Sequence, residues 1–301
     1  MPMQEGQITK ALSGFYYITD EDKVTYQTRG RGVFRLEGIN PLVGDYVRFE
    51  SDNLEEGTLK EIKPRKNALN RPAIANVDTG VVITSVTQPA FSTQLLDRFL
   101  VMLEYHKIAP VVYVSKLDIA DEETLDQMEE YKTIYEEIGY PFITLNVDEV
   151  DDLKQEVEQT LEEYIKDKLV VFMGQSGAGK STLLNKLDSN LNLKTAETSK
   201  SLGRGKHTTR HVELLPLLDG LFADTPGFSA LTFDDIQIQQ LSRCFPEMWA
   251  RKDDCRFRGC LHQNEPSCAV KAAVDAEEIA SFRYDNYLQF LTEIQNRKPK
   301  Y

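Results

Sequence analysis

From Gly6 to about Ile62 the chain runs in short segments of alternating apolar and polar positions, clearest at Phe15-Tyr16-Tyr17-Ile18 and Asp45-Tyr46-Val47-Arg48-Phe49. A period of two places successive side chains on opposite faces of a strand, and the intervening Gly-, Asp- and Asn-containing stretches supply turns. The pattern predicts a small N-terminal five-stranded β-barrel of the OB type. Such barrels often bind RNA, and the same architecture serves equally as a packing module. Lys63 to Pro72, with two prolines and several basic residues, predicts a linker out of the barrel.

The period then changes. Apolar strands (Val81-Val82-Ile83-Thr84, Val111 to Val114, Phe142 to Leu145) alternate with an amphipathic run from Leu95 to Tyr105 and a long acidic helix after Asp121. This predicts a mostly parallel sheet covered by helices. A helical stretch from Val150 to Ile165 leads into the apolar strand Leu169 to Met173, after which the sequence turns glycine-rich. A ligand loop belongs there, at the strand's carboxyl end. His211 to Ala223 predicts two strands around an Asp219-Gly220 turn, with Pro216 marking the first as an edge strand. Beyond Phe228 the pattern is helical and cysteine-bearing. No repeat or low-complexity segment interrupts it.

At 301 residues the chain has room for two or three domains. With 41% hydrophobic and 28% charged residues it falls in the range of globular proteins, which excludes disordered and fibrous classes. The N-terminus from Met1 to Gly6 has no basic region followed by an apolar core, so neither export nor membrane insertion is expected and the chain is placed in the cytoplasm. A formal net charge of −13 argues against unspecific attraction to nucleic acid. Local basic clusters occur at Lys63, Arg65, Lys66 and Arg71, at Arg204, Lys206 and Arg210, and at Arg251, Lys252, Arg256 and Arg258, each of which also fits a solvated loop. Cys255, Cys260 and Cys268 lie close together with His262, whereas Cys244 stands apart as a core residue. In a chain without an export signal, that grouping predicts metal rather than disulfides. Three thiolates and an imidazole fill a tetrahedral zinc shell and leave no position for substrate, so the site is structural.

Gly174-Gln175-Ser176-Gly177-Ala178-Gly179-Lys180-Ser181 fits GxxxxGKS, between an apolar strand and a helix that contains Thr182, Leu183, Leu184 and Leu187. Glycines let backbone N–H groups wrap phosphates, the helix N-terminus adds a favourable field, Lys180 reaches the terminal phosphates and the Ser181 hydroxyl ligates magnesium. Asp224-Thr225-Pro226-Gly227 follows a predicted strand where a P-loop GTPase places the Asp that holds Mg²⁺ through water and the Gly that senses the γ-phosphate. Ser115-Lys116-Leu117-Asp118 ends another apolar strand and resembles the guanine-specificity motif Asn/Thr-Lys-x-Asp. The Asp118 carboxylate can accept two hydrogen bonds from guanine, a donor pair that adenine lacks. Ser115 stands where the motif usually has Asn or Thr, which bears on loop bracing more than on base choice.

Asp118 precedes Gly174, the reverse of the usual order, so the central α/β P-loop GTPase domain is circularly permuted. Permutation is tolerated where the original termini lie close together at the surface. These motifs, with Gly203-Arg204-Gly205-Lys206-His207-Thr208-Thr209 between them, closely resemble the bacterial ribosome small-subunit-dependent GTPase A family over essentially the whole chain. Cys255-x4-Cys260-x-His262-x5-Cys268 with Asn264-Glu265-Pro266 is similar to that family's zinc motif. The resemblance implies an OB-type barrel over residues 1–68, a permuted GTPase domain over 69–229 and a mainly α zinc-binding domain over 230–301. It further implies binding of the small ribosomal subunit and its rRNA during late maturation, with GTP hydrolysis to GDP stimulated by that subunit. Leu145-Asn146 stand near where the family often has a guanine-contacting Ser-Ala. The chain is expected to act as a monomer.

Thr208 or Thr209 supplies the hydroxyl that caps Mg²⁺ and senses the γ-phosphate in the manner of switch I. A Ras-like enzyme has Gln after Asp-x-x-Gly to orient water, but here Phe228 offers no side-chain hydrogen bond. His207, beside the threonines, is the candidate for that task, and it equally fits an RNA contact. Two other functions fit the same residues: a nucleotide-gated RNA-binding module in which hydrolysis is incidental, and a general ATPase, which Asp118 disfavours.

Overall fold

The computed structural model describes residues 3–36, 38–70, 72–145, 151–188, 191, 212–224 and 232–297. These form two compact units interleaved along the chain: residues 1–81, 150–173 and 180–228 in one, residues 82–149, 174–179 and 229–301 in the other.

The first unit begins with strands β1 (Gln4–Leu12), β2 (Phe15–Thr19), β3 (Thr25–Gly30), β4 (Tyr46–Ser51) and β5 (Gly57–Ile62), with helix α1 (Gly32–Leu36) between β3 and β4. β1, β2 and β3 pair in succession, β3 runs parallel to β5, β5 pairs with β4, and β4 returns to β1. Closure gives every strand two neighbours, and the inward positions of the alternation, Ile8, Ile18, Val47, Phe49 and Leu59, are fully buried. The expected five-stranded barrel is therefore present.

The stretch expected as a linker is tied down instead. β6 (Ala68–Asn70) and β7 (Ala73–Ala75) form a small hairpin, and Ile74 bridges Val43 beside the barrel. Three basic residues here are paired, Arg71 lying outside the described residues: Arg65 forks onto fully buried Asp45 at 2.6 and 2.7 Å, Lys63 bonds Glu5, and Lys66 bonds Asp78. Asp45 is buried whereas Glu5 and Asp78 form surface pairs, and composition cannot show these pairings because the acids lie elsewhere in sequence.

The same unit holds helix α4 (Asp151–Ile165), strand β11 (Leu169–Gly174, apart from its last residue), helix α5 (Lys180–Leu187), and strands β12 (Glu213–Leu217) and β13 (Gly220–Asp224). β11 runs parallel to β13, and β12 to β13 is a hairpin. Its turn lies one residue earlier than expected: Leu218 and Asp219 both have positive φ (46° and 57°), and Gly220 already pairs with Leu217. Gly220 is needed for another reason, since a Cβ there would come 2.1 Å from the Ile165 carbonyl oxygen. β12 also meets the barrel at Lys10 and Glu213, which form a 3.0 Å ion pair.

β8 (Thr79–Ser85) begins in the first unit and ends in the second, where the strand order is β10 (Phe142–Ile143), β9 (Ala109–Ser115), β8, and β10 runs parallel to β9. Helix α2 (Thr93–Tyr105) is capped by Ser92, whose hydroxyl accepts the Leu95 N–H, and α3 (Glu122–Ile138) by Asp121, which accepts that of Thr124. The C-terminal region is mainly helical, with α6 (Ile238–Leu241), α7 (Pro246–Trp249), α8 (Ala269–Asp275) and α9 (Ser281–Gln295). Its core gathers Phe233, Leu241, Phe245, Met248, Val270, Tyr287, Phe290 and Leu291 together with Val101 of α2. An ionic network lies inside the same packing. Fully buried Arg283 of α9 donates to Asp97 of α2 at 2.5 Å and to Glu247 of α7 at 2.8 Å, while Tyr135 of α3 and Asn286 each donate to Asp97 at 2.6 Å. Burial opposes the charge on Arg283, but Asp97 and Glu247 outweigh it and raise the guanidinium pKa well above its ordinary value.

Candidate functional site

Every residue of β11 is buried, as an apolar strand with neighbours on both faces should be, and the chain then rises into Gln175 and Ser176, which are exposed. Gly174 has φ 150°, and a Cβ there would lie 2.0 Å from the Ile83 carbonyl oxygen, so only glycine lets the loop leave the strand along this path. Gly177 and Gly179 also have positive φ, and the Ala178 N–H closes a turn onto the Gln175 carbonyl at 3.1 Å. Lys180, Ser181 and Thr182 follow as the first turn of α5. In the first unit Asp224 ends β13, at the same carboxyl end of the parallel pair from which β11 leads toward α5.

The guanine motif meets the loop directly. The Ser115 hydroxyl lies 2.6 Å from the Ala178 carbonyl and 3.1 Å from that of Thr84, and it would stand 3.3 Å from a Cβ placed on Gly179. The substitution of Ser for Asn or Thr therefore preserves bracing through a single hydroxyl. Lys116 adopts the left-handed conformation (φ 62°, ψ 39°) and opens a 3₁₀ turn over Leu117–Ile119, which leaves the Asp118 side chain exposed. The Lys116 ammonium donates to the Gln88 carbonyl. Gln88 belongs to the loop between β8 and α2, a third wall that sequence reasoning missed, because no side-chain motif marks a carbonyl contact. Val86 N–H donates to the Ser115 carbonyl at 3.1 Å, and Pro89 approaches the position of a Cβ on Gly177 at 3.8 Å.

Cys255, Cys260, His262 and Cys268 bring one ligand atom each to within 4.8 Å of one another. Ligands bound to a tetrahedral zinc at ordinary lengths lie about 3.6–3.8 Å apart. Here Cys255 Sγ is 3.9 Å from Cys268 Sγ and 3.6 Å from His262 Nδ1, which is 3.4 Å from Cys268 Sγ. The cluster is compatible with one zinc, with Nδ1 the ring nitrogen presented. Burial pushes the Cys260 thiol up to about 12 and raises that of Cys268, so a cation is what would make these thiolates stable. Cys244 is buried in the C-terminal core and is not among the four grouped ligand atoms; burial lifts its thiol to about 12, in line with the packing role expected for it. His106 caps the C-terminus of α2 against Tyr105, a structural position.

Two family models match the chain, one for the RsgA N-terminal domain over residues 5–59 and one for the RsgA GTPase over residues 62–234. The chain belongs to the RsgA GTPase family. It is 54% identical over 299 residues to the small ribosomal subunit biogenesis GTPase RsgA 2 of Listeria monocytogenes, covering 99% of this chain and 100% of that one. It is 56% identical to the small ribosomal subunit biogenesis GTPase RsgA of Enterococcus faecalis, covering 99% and 97%. Among solved structures it resembles YloQ, described as a circularly permuted GTPase, with TM-score 0.83, 45% identity and coverage of 100% and 98%. YjeQ from Thermotoga maritima matches with TM-score 0.83, 32% identity and coverage of 99% and 100%.

Family membership and motif order agree: the chain is a circularly permuted GTPase with a barrel before it and a Cys/His cluster after it. Among the described residues no helix is long and apolar enough to cross a membrane. His207, Thr208, Thr209, Gly227 and Phe228, with Asn146, His211 and the cluster Arg204, Lys206 and Arg210, lie outside the described residues. Of the basic residues near the cysteines, Arg251 pairs with Glu278 at 3.2 Å, while Lys252 lies 3.8 Å above the Trp249 ring and Arg256 stacks near exposed Phe257.

Proposed function

We propose that this GTPase binds GTP through Ser115–Asp118, Gly174–Thr182, Thr208 or Thr209, Asp224 and Gly227, and that its cycle serves late maturation of the small ribosomal subunit and release of the factor. The observation that supports the site best is the 2.6 Å contact of Ser115 with Ala178, which ties the base-reading segment to the phosphate loop. Lys116 lies along the base and Asp118 reads its edge, while the Gly174–Gly179 amides and Lys180 hold the phosphates. The Ser181 hydroxyl would hold Mg²⁺, which would supply positive charge against the terminal phosphates. With Phe228 unable to orient water, His207 takes that role as a neutral imidazole accepting a hydrogen bond from the nucleophile.

The three-domain division at about residues 68 and 229 belongs to this reading; the family models change between residues 59 and 62, and the GTPase model ends at 234. The protein acts as a cytoplasmic monomer whose partner is the small subunit and its rRNA, and Cys255, Cys260, His262 and Cys268 hold one structural zinc. The relatives' names support the ribosomal assignment. The test is GTP turnover with and without purified small subunits. Marked stimulation is expected, with the factor retained on the subunit when a non-hydrolysable GTP analogue replaces GTP. Equal turnover in both conditions would overturn the ribosomal assignment, and release despite blocked hydrolysis would favour a nucleotide-gated binding module.

A further inference from the structure

The loop from Cys260 to Cys268 is held by groups that are not metal ligands. Glu265 Oε1 accepts the N–H of Leu261 at 2.8 Å, and Oε2 accepts those of Gln263 at 2.9 Å and Asn264 at 3.1 Å. Among residues 261–264 the fourth N–H, that of His262, donates to Cys260 Sγ at 3.4 Å. Two carbonyls are fixed from the other side: Tyr287 donates to Leu261 O and Tyr284 to His262 O, each at 2.6 Å. His262 has φ 57°, the left-handed conformation that is uncommon for a residue with a Cβ. Three backbone donors converging on one carboxylate hold it there, since any other conformation of residues 261–264 would scatter them.

We propose that Glu265 is the positioning residue of the metal centre, acting through the backbone to form the turn that aims His262 Nδ1 and Cys260 Sγ at one point. The inference rests on the zinc reading of the cluster. Glu265 is not itself among the four ligating groups, and both its oxygens are occupied by N–H donors. Groups that orient ligands in this way typically govern metal affinity by about 10- to 100-fold.

The test uses the full-length protein loaded with zinc and follows metal transfer to an excess of chromophoric chelator. E265Q keeps the shape but turns an amide NH₂ toward backbone donors. Zinc release about tenfold faster or more is expected. With cobalt(II) in place of zinc, the visible bands of E265Q should also shift in position or intensity, a change of ligand geometry that lost stability alone would not produce. If E265Q does not fold, E265D, which withdraws both oxygens by one methylene, takes its place with the same expectation. Native release rates and a native cobalt spectrum in the folded variant would overturn the proposal. Failure of the unmodified protein to hold zinc would instead overturn the zinc reading on which it rests.

Discussion

The Ser115 hydroxyl stands 2.6 Å from the Ala178 carbonyl oxygen, across 63 residues of sequence. A hydroxyl has one proton to give, and a second carbonyl, that of Thr84, lies farther off at 3.1 Å, so the donation goes to the phosphate loop. Ser115→Ala removes the brace and leaves the Ala178 carbonyl without this donor. The cost is about 1–3 kcal/mol, or roughly 5- to 150-fold in GTP affinity. Ser115→Thr should bind normally. Titration with a fluorescent GTP analogue checks both, and native affinity in the alanine variant would refute the brace.

Base choice should depend on Asp118. Asp118→Asn exchanges an acceptor for a donor against the guanine edge, so GTP affinity should fall by about a hundredfold or more while xanthosine triphosphate gains. Competition among GTP, ATP and xanthosine triphosphate measures this. Equal affinity of the unmodified protein for GTP and ATP would sink the guanine assignment.

His207→Ala should retain GTP affinity and subunit binding but lose stimulated turnover by about a hundredfold. Single-turnover hydrolysis on purified subunits separates the two roles open to His207. Weakened subunit affinity with normal turnover at saturation would make it an RNA contact instead.

The Arg283 network makes a stability prediction. Arg283→Ala leaves the fully buried Asp97 carboxyl without its cation, a loss of about 3–5 kcal/mol in a denaturant titration. The pair Arg283→Met with Asp97→Leu should recover only part of that, because apolar packing replaces this pair while Glu247, 2.8 Å from Arg283, also loses its cation. Additive losses in the double variant would show that each residue acts through separate contacts.

Removing metal should act locally. Cys255→Ser is expected to lower zinc content well below one per chain and to loosen the C-terminal region, while GTP affinity stays native. Elemental analysis and limited proteolysis test this.

What the sequence determined is what repeats or binds over a few residues: the barrel strands, the helices from Thr93 and Glu122, the P-loop after its apolar strand, and the Cys/His spacing. These are local because side-chain period and loop chemistry are set by near neighbours. Tertiary structure alone decided that Lys63, Arg65 and Lys66 are paired with Glu5, Asp45 and Asp78. It alone brought Lys116 to Gln88, and Arg283 to Asp97 across 186 residues. The Asp219-Gly220 turn shifted to Leu218-Asp219 because the close approach of Ile165 claims Gly220 for the strand. In each case the deciding partner lies far away in sequence. Which distant donor meets which acceptor depends on the path by which the chain returns, and no local pattern encodes that path.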